Sequence, residues 1–277
     1  MEFPIQQITM DAYAGLQARF GAKIVRHKGR HWRRVRPFFY RPLLPVEAIG
    51  ETGPWSPVPW PCGFQHVVPA GAPANSTMNF VMLESPQDYS LGGLNHKRRQ
   101  LIKRAAQQFE VRPIVDPLEM KARGHGVYLS FYERTKYPYR SDRREKAVFD
   151  AWVDAIFHTP GTILMGGYGQ DGLAAISMSY WVNSTLIYST LLCGTAAMHR
   201  NLGELMFHEI RQLAARHPGI REIFVRPYQG GSSMDQYYLL RGCTLARRPA
   251  RLEIPTLNRA LIRWLAPEKY EILCGDD

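Results

Sequence analysis

Three apolar runs at residues 163–168, 172–182 and 185–192 restrict the fold more than any other feature of this chain. The connections between them, residues 169–172 and Asn183-Ser184, have room only for tight turns. The three runs are therefore predicted to pair as consecutive antiparallel strands joined by hairpins. The next segment, GTAAMHRNLGELMFHEIRQLAA, opens with a glycine and a basic turn, then carries apolar residues at helical spacing, which predicts a helix over 201–216. A strand at 222–226, a helix near 233–240 and a strand at 244–254 follow. Ahead of the three strands lie a predicted strand at 111–115 and helices at 117–136 and 142–157. This order describes an α+β fold, a mixed but mostly antiparallel sheet flanked by helices.

The first part of the chain is less regular. A short helix at 11–20 and strands at 22–25, 32–40, 64–68 and 77–83 are predicted, with a proline-rich connection across 42–63. A long helix over 88–109 carries Leu94, Leu101, Ile102, Ala105, Ala106 and Phe109 on one face. Lys97, Arg98, Arg99, Lys103 and Arg104 lie on the other, and Gly92 and Gly93 weaken its first turns. The tail from Thr256 reads as one helix in which Leu257, Leu261, Trp264 and Leu265 pack back on the body.

Charge narrows the partners. Lys and Arg number 35 against 24 Asp and Glu, a net charge of +11. An excess of this size favours an anionic partner: a nucleotide cofactor, a nucleic acid or a lipid surface. Residues 26–36, RHKGRHWRRVR, hold six Lys or Arg and two His, with Trp32, Phe38, Phe39 and Tyr40 close by. Arg33 and Arg34 are thereby candidate contacts for a nucleic-acid backbone, as are Lys97, Arg98, Arg99, Lys103 and Arg104 of the basic helix. A solvated basic surface is the competing reading of both clusters.

Several chemistries lack their residues. The cysteines, Cys62, Cys193, Cys243 and Cys274, are scattered and form no Cys-x-x-Cys pair, so no zinc or redox motif is expected. Free thiols in a reducing cytoplasm are. His27 and His31 flank Gly29 with no carboxylate beside them, so no metal is predicted. No Gly-x-Ser-x-Gly elbow and no Gly-x-x-x-x-Gly-Lys-Ser/Thr loop is present. The first residues have no signal-peptide pattern, and no apolar run reaches the length of a membrane span.

The order of elements over residues 111–254 resembles the GNAT superfamily of N-acetyltransferases. The basic segment LNHKRRQLIKRAAQQFEV is similar to the one joining two such domains in the Fem-type acyl and aminoacyl transferases. That resemblance implies a division at residues 1–110 and 111–277, the first part a degenerate copy of the fold. In the superfamily an Arg/Gln-x-x-Gly-x-Gly/Ala turn holds the pyrophosphate of acyl-CoA. Arg200 and Gly203 match its arginine and first glycine, and with Asn201 between them and His199 just before they are the candidate donor-binding residues; Glu204 and Leu205 depart from the pattern. The resemblance further implies Tyr238, four residues before Gly242, as the acid that protonates the departing thiolate. Glu133, near the end of the helix at 117–136, is the candidate base for an amine acceptor. His208 and His199 are further candidate bases, and a passive buried histidine is the competing reading. Acyl-CoA is the implied co-substrate. Aminoacyl-tRNA, the donor of Fem-type enzymes, is the alternative, and a non-catalytic member binding nucleic acid or protein is a third.

Overall fold

The computed structural model describes residues 5–50, 62–136, 140–265 and 267–274. Its elements in chain order are β1 (Gln7–Ile8), α1 (Met10–Arg19), β2 (Ile24–His27), β3 (Arg30–Arg36), β4 (Phe39–Pro42), β5 (Gly63–Val67) and β6 (Ser76–Glu84). Next come α2 (His96–Ala106), β7 (Glu110–Pro113), α3 (Pro117–Thr135), α4 (Lys146–Phe157), β8 (Thr162–Gly169), β9 (Gly172–Val182) and β10 (Thr185–Cys193). Then follow α5 (Thr195–His199), α6 (Leu202–Ala215), β11 (Glu222–Pro227), α7 (Ser233–Leu239), β12 (Thr244–Glu253), α8 (Thr256–Leu265) and α9 (Pro267–Cys274). The α+β class and the mostly antiparallel mixed sheet read from the sequence are present.

The chain forms two compact units, each discontinuous in sequence. One comprises Met1–Ala12 and Leu83–Val225; the other comprises Tyr13–Met82 and Arg226–Asp277. In the first unit β7, β8, β9 and β10 pair antiparallel in that order, and β11 joins β10 in parallel. The short β1, absent from the sequence reading, pairs in parallel with Trp181 and Val182 of β9.

Packing of this unit follows from the strand register. Ile176 of β9 lies opposite Gly166 of β8, so both point to one face and Gly167 points to the other. On the first face, a Cβ on Gly124 of α3 would lie 2.9 Å from Ile176. On the second, a Cβ on Gly167 would lie 2.9 Å from Leu202 at the start of α6. Helices α3 and α6 thus cover opposite faces of the sheet. This is why β9 is buried on both faces, Ser177 and Ser179 as well as Ile176, Met178 and Tyr180.

Local signals set the helix boundaries. Asp116 caps α3, accepting from the Leu118 N–H at 2.8 Å, with Pro117 in the first turn. The long helix predicted over 88–109 is shorter. Residues Pro86–Asp88 and Leu91–Gly93 form single tight turns, and α2 starts only after Asn95, whose side chain accepts from the Arg98 N–H at 2.9 Å. Gly92 and Gly93 favour that interruption, because glycine loses more backbone entropy in a helix than other residues.

In the second unit the strands pair in the order β2, β3, β4, β5, β12, β6. Trp32, Tyr40, Ile49 and Phe64 form one apolar cluster, and Phe39, Leu252 and Ile254 form another. Tyr270 and Cys274 of α9 pack on the second. The tail is therefore two helices rather than one. Trp264 and Leu265, expected to pack on the body, are 79% and 63% exposed. The side chains of Leu257 and Leu261 lie outside those described, as do Pro54, Pro57, Pro59 and Pro61 of the proline-rich connection.

Candidate functional site

The site is built at the end of β10. Strands β10 and β11 pair only from Thr185 to Ile187, against Glu222 to Phe224. Beyond Ile187, β10 continues to Cys193 paired with β9 alone, and its register shifts between Tyr188 and Thr190. The extra residue bends the strand. One edge of β10 is thereby left without a strand partner from β11 just ahead of the basic turn.

That turn is more structured than the sequence indicated. Thr195–His199 forms a short helix, favoured by two adjacent alanines. Arg200 closes it through bonds from its N–H to the carbonyls of Ala196 and Ala197. Asn201 then adopts a left-handed backbone, φ 66°, a conformation asparagine tolerates better than most residues. Its carbonyl accepts from the N–H groups of Glu204 and Leu205 at 3.0 and 3.4 Å. The N–H groups of Leu202 and Gly203 have no hydrogen-bond partner among the described residues. His199 and Arg200 are exposed at this corner, Asn201 is half-buried and Gly203 is buried.

Glu204 is buried as well, and its carboxylate is held by Arg98 of α2 at 2.5 Å. The negative charge that Glu204 brings to the turn is therefore neutralised by a residue from the basic helix. Arg98 is accordingly engaged inside the unit. Arg99 is half-buried and donates to the Gly92 carbonyl at 3.0 Å, while Lys97, Lys103 and Arg104 are exposed.

One turn further along α6, His208 is buried and its Nδ1 lies 2.8 Å from the Tyr89 hydroxyl. Burial, helped by the positive charges of Arg211 and Arg216, holds the imidazole down at about 4. Burial likewise pushes the Tyr89 phenol up to about 12. The Arg211 guanidinium lies 4.3 Å from the Tyr89 ring centre and 4.4 Å from that of Phe207. His208 is thus a neutral packed residue of the helix.

A cleft of about 520 Å³ lies along α3 in the same unit, lined by Arg123, Val127 and Ser130, by Ala174, and by Gly194 and Thr195. The Thr195 N–H donates to Ser130 Oγ at 3.0 Å, fixing the start of α5 to α3. Glu133 is exposed on the last turn of α3 and does not line this cleft. Its neighbour Arg134 donates to the Cys193 carbonyl at 3.2 Å. Of the aromatic residues around Glu133, Tyr128 is buried and Phe131 and Tyr132 are half-buried, while Tyr137 and Tyr139 lie outside the described residues.

Tyr238 belongs to the other unit. It sits on α7, whose start is fixed by reciprocal bonds between Ser232 and Asp235. Its ring is buried and meets the Tyr237 ring edge-on at 5.0 Å. Burial, reinforced by Tyr237 and Cys243, pushes the phenol well above its ordinary value. In the same unit Arg34 is exposed and Arg33 half-buried. The stacking surface expected beside them is mostly core: Trp32, Phe39 and Tyr40 are buried, and Phe38 alone of the four is exposed.

Among the described residues no group of three or more His, Cys, Asp or Glu is placed to hold a metal ion. Nor is any helix among them long and apolar enough to cross a membrane.

This α+β arrangement, a mostly antiparallel mixed sheet flanked by helices, is a GNAT-like, Fem-like fold. Solved structures agree over nearly the whole chain. FemX is similar at 9% identity, over 95% of this chain and 96% of that one, with a TM-score of 0.59. A DUF2156 domain of Agrobacterium fabrum, the C-terminal domain of a protein named as a lysylphosphatidylglycerol synthetase, is similar at 10% identity. It covers 95% of this chain and 92% of its own, with a TM-score of 0.58. No family model and no curated protein matches the sequence. Likeness at such identity establishes the fold.

Proposed function

We propose that the chain is an acyltransferase that moves an acyl group from an acyl-CoA-type donor to an amine. The amine attacks the thioester carbonyl directly; the C–N bond forms, the C–S bond breaks and the thiolate takes a proton. The observation that carries this reading is the open edge of β10 leading into the start of α6. The amides of a pantetheine arm can complete that edge as an added strand would. The N–H groups of Leu202 and Gly203, with Arg200 exposed beside them, suit the donor's phosphates. Arg98 supports this by removing the charge of Glu204 from the turn. The cleft along α3 is the acceptor pocket in this reading. Glu133, which is on the same helix but does not line that cleft, is kept as the base for the amine, and Tyr238 as the acid for the thiolate, on the motif resemblance alone. The descent of residues 1–110 from a first copy of the fold belongs to the same proposal.

Aminoacyl-tRNA as donor is a second reading. It is favoured by the exposed cations Lys97, Lys103 and Arg104 on α2, which suit a polyanion. The Fem-type likeness, which spans both units, also speaks for it.

Incubation with acetyl-CoA and a panel of amines, following release of the CoA thiol, separates the readings when run beside transfer from aminoacyl-tRNA. Salt-sensitive RNA binding without transfer from either donor would leave a binding protein. For the first reading, Tyr238→Phe is expected to lower kcat about tenfold, with donor KM unchanged. That is below the usual range for general acid catalysis, because a phenol held so tightly protonated gains little in giving its proton to a thiolate. An unaltered kcat removes Tyr238 from the reaction.

A further inference from the structure

We infer that the second unit carries a docking surface for an anionic lipid membrane, formed by the end of α8 and the β3–β4 turn. The inference stands apart from the transfer reading and rests on where this unit leaves apolar side chains in water. Among the described residues the large aromatic side chains left exposed are Phe38 and Trp264, at 61% and 79%, and Leu265 beside Trp264 is 63% exposed. Isolated exposed apolar residues need no explanation, but the sequence neighbours of these residues meet around one packed cluster. Phe39, which follows Phe38 and opens β4, belongs to the cluster with Leu252 and Ile254, and Val35 of β3 and Tyr270 and Cys274 of α9 pack against that cluster. Arg263, which precedes Trp264, sets its guanidinium 5.5 Å from the Tyr270 ring centre.

The charges around these side chains have one dominant sign. Arg34 and Arg36 on β3 and Arg259 and Arg263 on α8 are all exposed. The nearby Glu253 is paired with Arg251. A tryptophan and a leucine at a helix end, flanked by arginines, match the boundary between headgroups and acyl chains: the ring and the aliphatic group enter, and the guanidinium groups meet lipid phosphates. Trp264 and Phe38 alone would also suit stacked bases. Leu265 offers nothing to a base, and favours lipid. A chain with net charge +11 adds long-range attraction to such a surface.

Co-sedimentation of the full chain with vesicles tests this, comparing phosphatidylcholine alone with a mixture holding about one third phosphatidylglycerol. Binding is expected to the mixed vesicles at low salt and not to the neutral ones, with release in molar salt. Removing two cations through Arg259→Gln with Arg263→Gln is expected to weaken it roughly 30-fold. Trp264→Ser with Leu265→Ser is expected to reduce it to the level of neutral vesicles, with an unchanged circular dichroism spectrum. Should this last variant misfold, the arginine pair and Phe38→Ser still test the surface. Equal sedimentation with both vesicle types, or wild-type binding by the folded variants, overturns the inference. So does loss of tRNA retention by the Trp264 and Leu265 variant with vesicle binding intact, which would make this a nucleic-acid surface.

Discussion

Arg98→Ala is expected to cost about 3 kcal/mol of folding stability, lowering Tm by roughly 6–12 °C. The reason lies in the asymmetry of the pair it breaks. The Arg98 side chain is 16% exposed and Glu204 only 6%, so the arginine can reach water when freed and the carboxylate cannot. Deleting Arg98 takes the cation away from a buried carboxylate at the start of α6, whereas Glu204→Gln leaves a neutral amide and a cation that can turn outward. The second change is expected to cost about 1 kcal/mol. Thermal unfolding of both variants checks the order. Equal losses would mean that Glu204 finds another partner or that water reaches it. The pair also couples stability to the candidate site, because the same helix turn carries the N–H groups of Leu202 and Gly203. In Arg98→Ala the restored charge of Glu204 is expected to weaken donor binding as well, in proportion to the donor's own charge.

Much of this fold could be read from residue patterns, and the parts that could not have definite physical causes. The three-strand run was legible because sheet covered on both faces selects long segments of apolar and small residues, and because Gly172 and Asn183 supply the positive φ its turns require. The start of α2 was misjudged because a helical period runs through Gly92 and Gly93, while the deciding event is a single side-chain cap from Asn95. The helix α5 was hidden because five residues are too few to show a period. The partner of Glu204 could not be read at all, since Arg98 is remote in sequence and a charge on a helix face looks solvated until a second helix packs on it. The same limit applies to the units. Their chain segments interleave, so Tyr238 and Arg200, close in the motif order, fall in different ones. Trp264 and Leu265 were read as core because helical spacing reports an apolar face but not what covers it.

Acid is expected to destabilise this protein through His208 before most carboxylates titrate. In the unfolded chain a histidine takes a proton near pH 6.5. In the folded chain burial beside Arg211 and Arg216 delays that until about 4. Between these values the unfolded state binds the extra proton, so stability is complete above pH 6.5 and falls as pH drops toward 4. The expected loss from pH 7 to pH 5 is about 2 kcal/mol. Tyr89 does not offset it: its phenol stays protonated across this range and serves as hydrogen-bond partner to Nδ1. His208→Gln keeps a polar side chain next to that hydroxyl and removes the titrating group. Urea unfolding at pH 7 and pH 5 should then show a larger shift for the wild type than for the variant, the remainder in the variant including buried His66, whose imidazole is also held below its ordinary value by burial. A variant that loses as much stability as the wild type would place the acid sensitivity elsewhere. The buried guanidinium of Arg211 is what makes the effect specific, because protonating His208 would set a second positive charge against one already enclosed by Tyr89 and Phe207.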